Sequence, residues 1–129
     1  MSDLRDLPQA EFEVMDVLWA RGEATAREVQ SELAKKRRTL AKNTVGTLLA
    51  RLREKGYVEA EERDFAYLFR PTVPREQVVR RKLDDLVSQV LGGDLGPLTL
   101  YIADKRRLTP QGLAALEELL RSESEKEEG

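Results

Sequence analysis

Apolar residues recur at helical spacing along most of this chain, with one interruption where the spacing changes to that of strands. Phe12, Met15, Leu18 and Trp19 share one face of a first helix expected from about Pro8 to Arg21. Gly22 closes it. Thr25-Ala26-Arg27-Glu28 has the spacing of a capping box, in which the Thr hydroxyl and the Glu carboxylate each satisfy the other's backbone N–H. It opens a second helix with Val29 and Leu33 as its apolar ridge, ending near the basic run Lys35 to Arg38. Val45, Leu48, Leu49 and Leu52 form a single stripe on a third helix, from about Ala41 to Lys55 and stopped by Gly56.

Two short strands follow, Tyr57 to Glu62 and Ala66 to Arg70, joined by Arg63-Asp64-Phe65 as a tight polar turn. A fourth helix is expected from Pro74 to Leu91, a fifth near Pro97 and a sixth from Thr109-Pro110. The predicted fold is mainly α with a small β-hairpin wing: an N-terminal winged helix-turn-helix plus a C-terminal helical dimerisation lobe. The expected boundaries are a winged domain over 1–72, a helical lobe over 73–122 and an acidic, disordered tail over 123–129.

Composition removes most chemistry. The chain has no cysteine and no histidine, so disulfides, Cys/His zinc sites and Ser-His or Cys-His catalysis are excluded. No nucleophile–base pair or phosphate loop is legible, and the expectation is a protein that is not an enzyme and needs no cofactor or metal. No stretch has the length and apolarity of a membrane span, and the start MSDLRDLPQ lacks the apolar region of a secretory signal, so a cytoplasmic protein is expected.

The formal net charge of −2 argues against nucleic acid, but its distribution does not. Between Lys35 and Lys55 stand eight basic residues against the single acid Glu54, a local charge of +7. The side of the third helix opposite the stripe begins with Lys42, Asn43 and Thr44 and continues through Gly46, Thr47 and Ala50, with Arg51 on its flank. Amide and hydroxyl groups at the start of such a helix read base edges, and Lys and Arg neutralise phosphates. Gly46 costs about 1 kcal/mol against Ala inside a helix, which suits a close backbone approach. Thr44 could instead cap or back-bond the helix.

The segments LPQAEFEVMDVLWARGEATAREV, TLAKNTVGTLLARLREKGYVEAE and AYLFRPTVPREQ resemble the penicillinase repressor family of the BlaI/MecI type. The patterns E-x-x-V-M-x-x-L-W and T-V-x-T-L-L-x-R-L-x-x-K-G carry the resemblance, which covers almost the whole chain. It implies a homodimeric repressor of an adjacent operon, acting on double-stranded, pseudo-palindromic operator DNA. It implies DNA-binding roles for Lys42, Asn43, Thr44, Thr47 and Arg51, for Arg63 at the wing tip and for Tyr67 on the wing strand. Arg63 has the alternative of standing in solvent, and Tyr67 of packing under the wing. The expected dimer residues are Val79, Leu83, Leu86, Val87, Val90, Leu98, Tyr101, Ile102, Leu113, Leu116, Leu119 and Leu120.

The resemblance also implies a membrane sensor protease pathway as a partner, with derepression by proteolysis or destabilisation of the dimerisation lobe. The family's Asn-Phe cleavage pair, aligned on Leu108-Thr109, is Tyr101-Ile102 here. The cysteine cluster of the copper-responsive branch is absent. Two other readings fit the pattern: a winged-helix protein-interaction module without DNA binding, and a ligand-responsive winged-helix regulator of another family.

Overall fold

A computed structural model describes residues 6–104 and 109–128. The order is α1 (Gln9–Arg21), β1 (Ala24–Thr25), α2 (Ala26–Lys35), α3 (Lys42–Glu54), β2 (Val58–Arg63), β3 (Ala66–Pro71), α4 (Arg75–Asp85), a π-helical turn (Leu86–Val90), α5 (Gly96–Ala103) and α6 (Pro110–Glu128). The chain divides into two compact units, residues 1–83 and 84–129. Among the described residues no helix is long and apolar enough to cross a membrane.

Local chemistry sets the ends of the first three helices. Thr25 Oγ1 accepts from the Glu28 N–H at 3.2 Å and Glu28 Oε1 accepts from the Thr25 N–H at 2.9 Å, so the capping box is complete. The Thr25 N–H bond, the largest influence, holds the Glu28 carboxyl below its ordinary range. α3 closes on Gly56 at φ 84°, with Gly56 N–H to Arg53 O at 3.1 Å and Tyr57 N–H to Leu52 O at 2.9 Å. This is the paired bonding of a Schellman motif, and the left-handed φ is why Gly stands there. α2 ends with the same two bonds, Arg37 N–H to Ala34 O and Arg38 N–H to Leu33 O. There, however, Arg37 occupies the left-handed position at φ 62°.

The winged unit buries one continuous core. Val14, Met15 and Leu18 of α1, Val29 and Leu33 of α2, the α3 stripe Val45, Leu48, Leu49 and Leu52, and Tyr57, Val58 and Val78 are all buried. The sheet has the order β1-β3-β2, all antiparallel, with Ala24 opposite Phe69 and Glu59 opposite Arg70. β1 is two residues long and was not legible from the sequence pattern.

α1 differs from expectation in its buried face. Phe12 and Trp19 are only partly buried, their rings edge to face at 5.6 Å. Glu11, a charged residue, is inside at 2% exposure because Lys55 neutralises it. The Trp19 indole N–H donates to Val73 O at 2.8 Å, Arg75 pairs with Asp16 at 3.1 Å, and Lys82 donates to Leu7 O at 2.7 Å. These ties run from the approach to α4 through to its last turn and hold it to α1 and the residues just before α1. The compact unit therefore extends past the boundary after Thr72 that the pattern suggested.

α6 corrects one expectation. Residues 123–129 read as a disordered acidic tail, yet the helix runs on to Glu128. Glu, Lys and Arg are good helix formers, and extending an existing helix avoids the cost of nucleating one. The single fourth helix is also divided, its last part being the π-helical turn.

Candidate nucleic-acid interface

Burial of the Val45, Leu48, Leu49 and Leu52 stripe turns the opposite face of α3 outward. Lys42, Asn43, Thr44, Gly46, Thr47, Ala50 and Arg51 are all exposed on it. Ala41 provides no side-chain cap and the first turn carries no acid, so the positive end of the helix dipole and the Lys42 ammonium favour an anion there. Gly46 has helical φ and a Cβ there would meet open space. Among the described residues no contact requires glycine at this position.

Thr47, rather than Thr44, back-bonds the helix. Its Oγ1 donates to Asn43 O at 2.9 Å. The hydroxyl proton is spent, which leaves Thr47 an acceptor oxygen and a methyl group for an external partner.

Between α3 and the wing lies an open cleft of about 410 Å³, lined by Gly46, Ala50, Arg53, Glu54, Tyr67 and Phe69. Small residues on the helix side make its room. The Arg53 guanidinium stands 6.0 Å from the centre of the Tyr67 ring, and the Tyr67 and Phe69 rings are 6.5 Å apart. Tyr67 is thus half exposed on the wall facing α3, rather than tucked under the wing. Its neighbour Arg53 lines the same cleft.

Arg63 is not a free cation on the wing. It pairs with Glu61 at 2.9 Å, and Arg70 holds the same carboxylate at 2.7 Å while reaching Glu23 at 3.0 Å. The Arg70 hydrogen bond, followed by the charges of Arg63 and Arg70, keeps Glu61 below the ordinary glutamate range. Binding of Arg63 to another anion must compete with this pair. Within the connector before α3, Lys35 pairs with Glu32 at 3.1 Å and Arg38 with Glu13 at 3.1 Å. The Gln30 side chain fixes the connector's end by donating to Leu40 O at 3.0 Å.

The wing tip holds the residue the pattern missed. Phe65, read as part of a polar turn, is completely exposed at 104%. Its signal is present in the sequence: an aromatic within the short link between two strands.

The expected dimer residues fall in both units. Val79 is half-buried and Leu83 exposed on the part of α4 that belongs to the winged unit. In the second unit Leu86, Val90, Tyr101, Leu113 and Leu119 are exposed, and Val87, Leu98, Ile102 and Leu116 are half-buried. Leu95 and Leu100, not singled out from the pattern, add to this exposed apolar surface. The Leu120 side chain, and Leu108, lie outside the described residues.

A family model described as Penicillinase repressor matches residues 7–122. A penicillinase repressor of Staphylococcus aureus is 22% identical, over 94% of this chain and 95% of its own. One from Bacillus licheniformis is 24% identical, over 93% of each. Among solved structures, the monomeric form of Bacillus licheniformis BlaI in complex with the blaP half-operator aligns with a TM-score of 0.50 and 29% identity. That match covers 59% of this chain and 92% of the other.

Proposed function

Because the chain belongs to the penicillinase repressor family, we propose that it is a cytoplasmic transcriptional repressor that binds a pseudo-palindromic operator as a homodimer. The observation that carries this reading is the exposed polar face of α3, set by burial of the opposite stripe and opening on Lys42-Asn43-Thr44. The relative solved with a half-operator supports it. Lys42, Asn43, Thr44 and Thr47 meet base edges in the major groove, and Gly46 lets the backbone approach. Arg51 holds a phosphate on the flank. Tyr67, with Arg53 over its ring, lines the path of one strand through the cleft, and Arg63 exchanges Glu61 for phosphate.

The exposed apolar residues of α5, α6 and the π-helical turn pair with their copies across a two-fold axis. That symmetry places two α3 helices on two half-sites. Each contact then makes the other intramolecular, so loosening the second unit releases DNA. Proteolysis by a membrane sensor pathway is one route to such loosening, with Tyr101-Ile102 standing where the family's cleavage pair would be.

The test is selection from a random duplex library with the full-length protein. Enriched sequences should carry two inverted half-sites about one helical turn, or a multiple of it, apart. Absence of enrichment over repeated rounds would overturn the reading.

A further inference from the structure

Arg63 faces Ala66 across the hairpin, so Asp64 and Phe65 alone form the loop between β2 and β3. Both have positive φ, 51° and 66°. Two-residue hairpins adopt this conformation because it matches the twist of the strands, and Asn-Gly or Asp-Gly normally fills it. Asp64 suits the first position. Phe65 does not suit the second, since a bulky side chain in the left-handed region is strained. Its ring is also wholly in solvent. Among the described residues no contact rewards either cost, and glycine would remove both. A strained residue kept without internal return points to a role outside the chain.

The position of the ring indicates what it meets. Tyr67 and Phe69 are two apart on β3 and share one strand face, their rings 6.5 Å apart, and Phe65 stands in the turn just before that strand. Exposure rises from the partly buried Phe69, through Tyr67 at 50%, to Phe65 at 104%. This aromatic row starts in the cleft beside Gly46 and Ala50 of α3 and ends at the wing tip.

The charge of the wing indicates how it makes contact. Glu59, Glu61, Glu62 and Asp64 outnumber Arg63 and Arg70, and both arginines are paired with Glu61. Such a tip is acidic on balance and can offer a phosphate only the Arg63 cation, at the expense of its Glu61 pair, but it also carries an apolar ring. Apolar side chains inserted from the minor groove act without charge, by partly unstacking a base step.

We propose that Phe65 is an aromatic wedge in the minor groove beside the major-groove segment read by α3, selecting easily unstacked pyrimidine–purine steps at the operator flank. This rests on the DNA-binding reading of α3. In this arrangement α3 supplies base-edge contacts, and the wing tip reads deformability.

The experiment compares the full-length wild type, Phe65→Gly and Phe65→Trp by fluorescence anisotropy at several salt concentrations. The probe is the duplex enriched in the selection described above, with a thermal melt of each protein. Phe65→Gly should melt higher than wild type, because its strain is gone. It should bind roughly 5- to 100-fold more weakly, the range of losing one ring–base contact. Its log–log salt slope should match wild type, since no phosphate contact is lost. Phe65→Trp should bind within about threefold of wild type, because a ring remains. An unchanged affinity for Phe65→Gly would overturn the wedge, and so would a loss accompanied by a shallower salt slope. If the wild type itself bound no duplex, the fault would lie with the DNA-binding reading of α3.

Discussion

The Lys55 ammonium lies 2.8 Å from Glu11 Oε1 and donates to Asp6 O at 2.8 Å, tying the C-terminal end of α3 to the start of α1. Glu11 is 2% exposed, so its charge depends on this partner. Lys55→Met should destabilise the winged unit by about 3–5 kcal/mol, because it strands a buried carboxylate. Glu11→Leu combined with Lys55→Met should recover most of that loss. Urea unfolding of the three variants measures both effects, and a double variant no better than the single one would contradict the account.

Arg37 holds a left-handed position that ends α2, where glycine is the unstrained choice. Arg37→Gly should therefore raise stability by about 1 kcal/mol. A melt showing lower stability would mean that the Arg37 side chain contributes more to the fold than its backbone strain costs.

Glu28 and Glu61 both sit below the ordinary glutamate range, Glu28 through the Thr25 N–H and Glu61 through Arg70. Their folded values are depressed, so the stability they contribute is full above the unfolded value. It is lost progressively as the pH falls from about 5, where the unfolded carboxyls begin to protonate, through those lower folded values. Denaturant midpoints should hold between pH 7 and about 5 and drop below that. In Glu28→Gln the drop should be smaller, since one of the depressed groups is gone. An equal drop in that variant would show that the capping carboxylate plays no part.

What the sequence made legible was local. The Thr25–Glu28 cap and the α3 stripe involve residues three or four apart, and both stand as read. Long-range partners were hidden. Nothing near Glu11 announces Lys55, 44 residues on. Nothing in Ala24-Thr25 reveals a strand, because its partners Phe69 and Leu68 come much later in the chain. In α4 the pattern favoured Val79, yet Val78 enters the core. Ties from Val73 to Trp19 and from Lys82 to Leu7, partners remote in sequence, set the helix's rotation. On the interface, periodicity located the exposed side of α3. It could not reveal that Thr47 spends its proton on Asn43 or that Glu61 neutralises Arg63.

The second unit should hold the dimer together. Truncation after Leu83 keeps Val78 and the Lys82 contact with Leu7, and so preserves the winged unit. In analytical ultracentrifugation the full chain should sediment as a dimer at micromolar concentration and the truncated chain as a folded monomer. A monomeric full chain, or a dimeric truncated one, would contradict the proposed interface.

The most direct test of the central claim is the salt dependence of DNA binding by the full-length protein. The segment from Lys35 to Lys55 carries +7 in a chain whose net charge is −2. Two protomers neutralising roughly 6–10 phosphates should give a log–log slope of about −5 to −9, and Arg51→Ala should make it shallower by about one per lost contact. Fluorescence anisotropy between 50 and 200 mM salt, conditions over which such binding weakens steeply, reads the slope. A slope in that range is the predicted result, and binding that does not change with salt would contradict it.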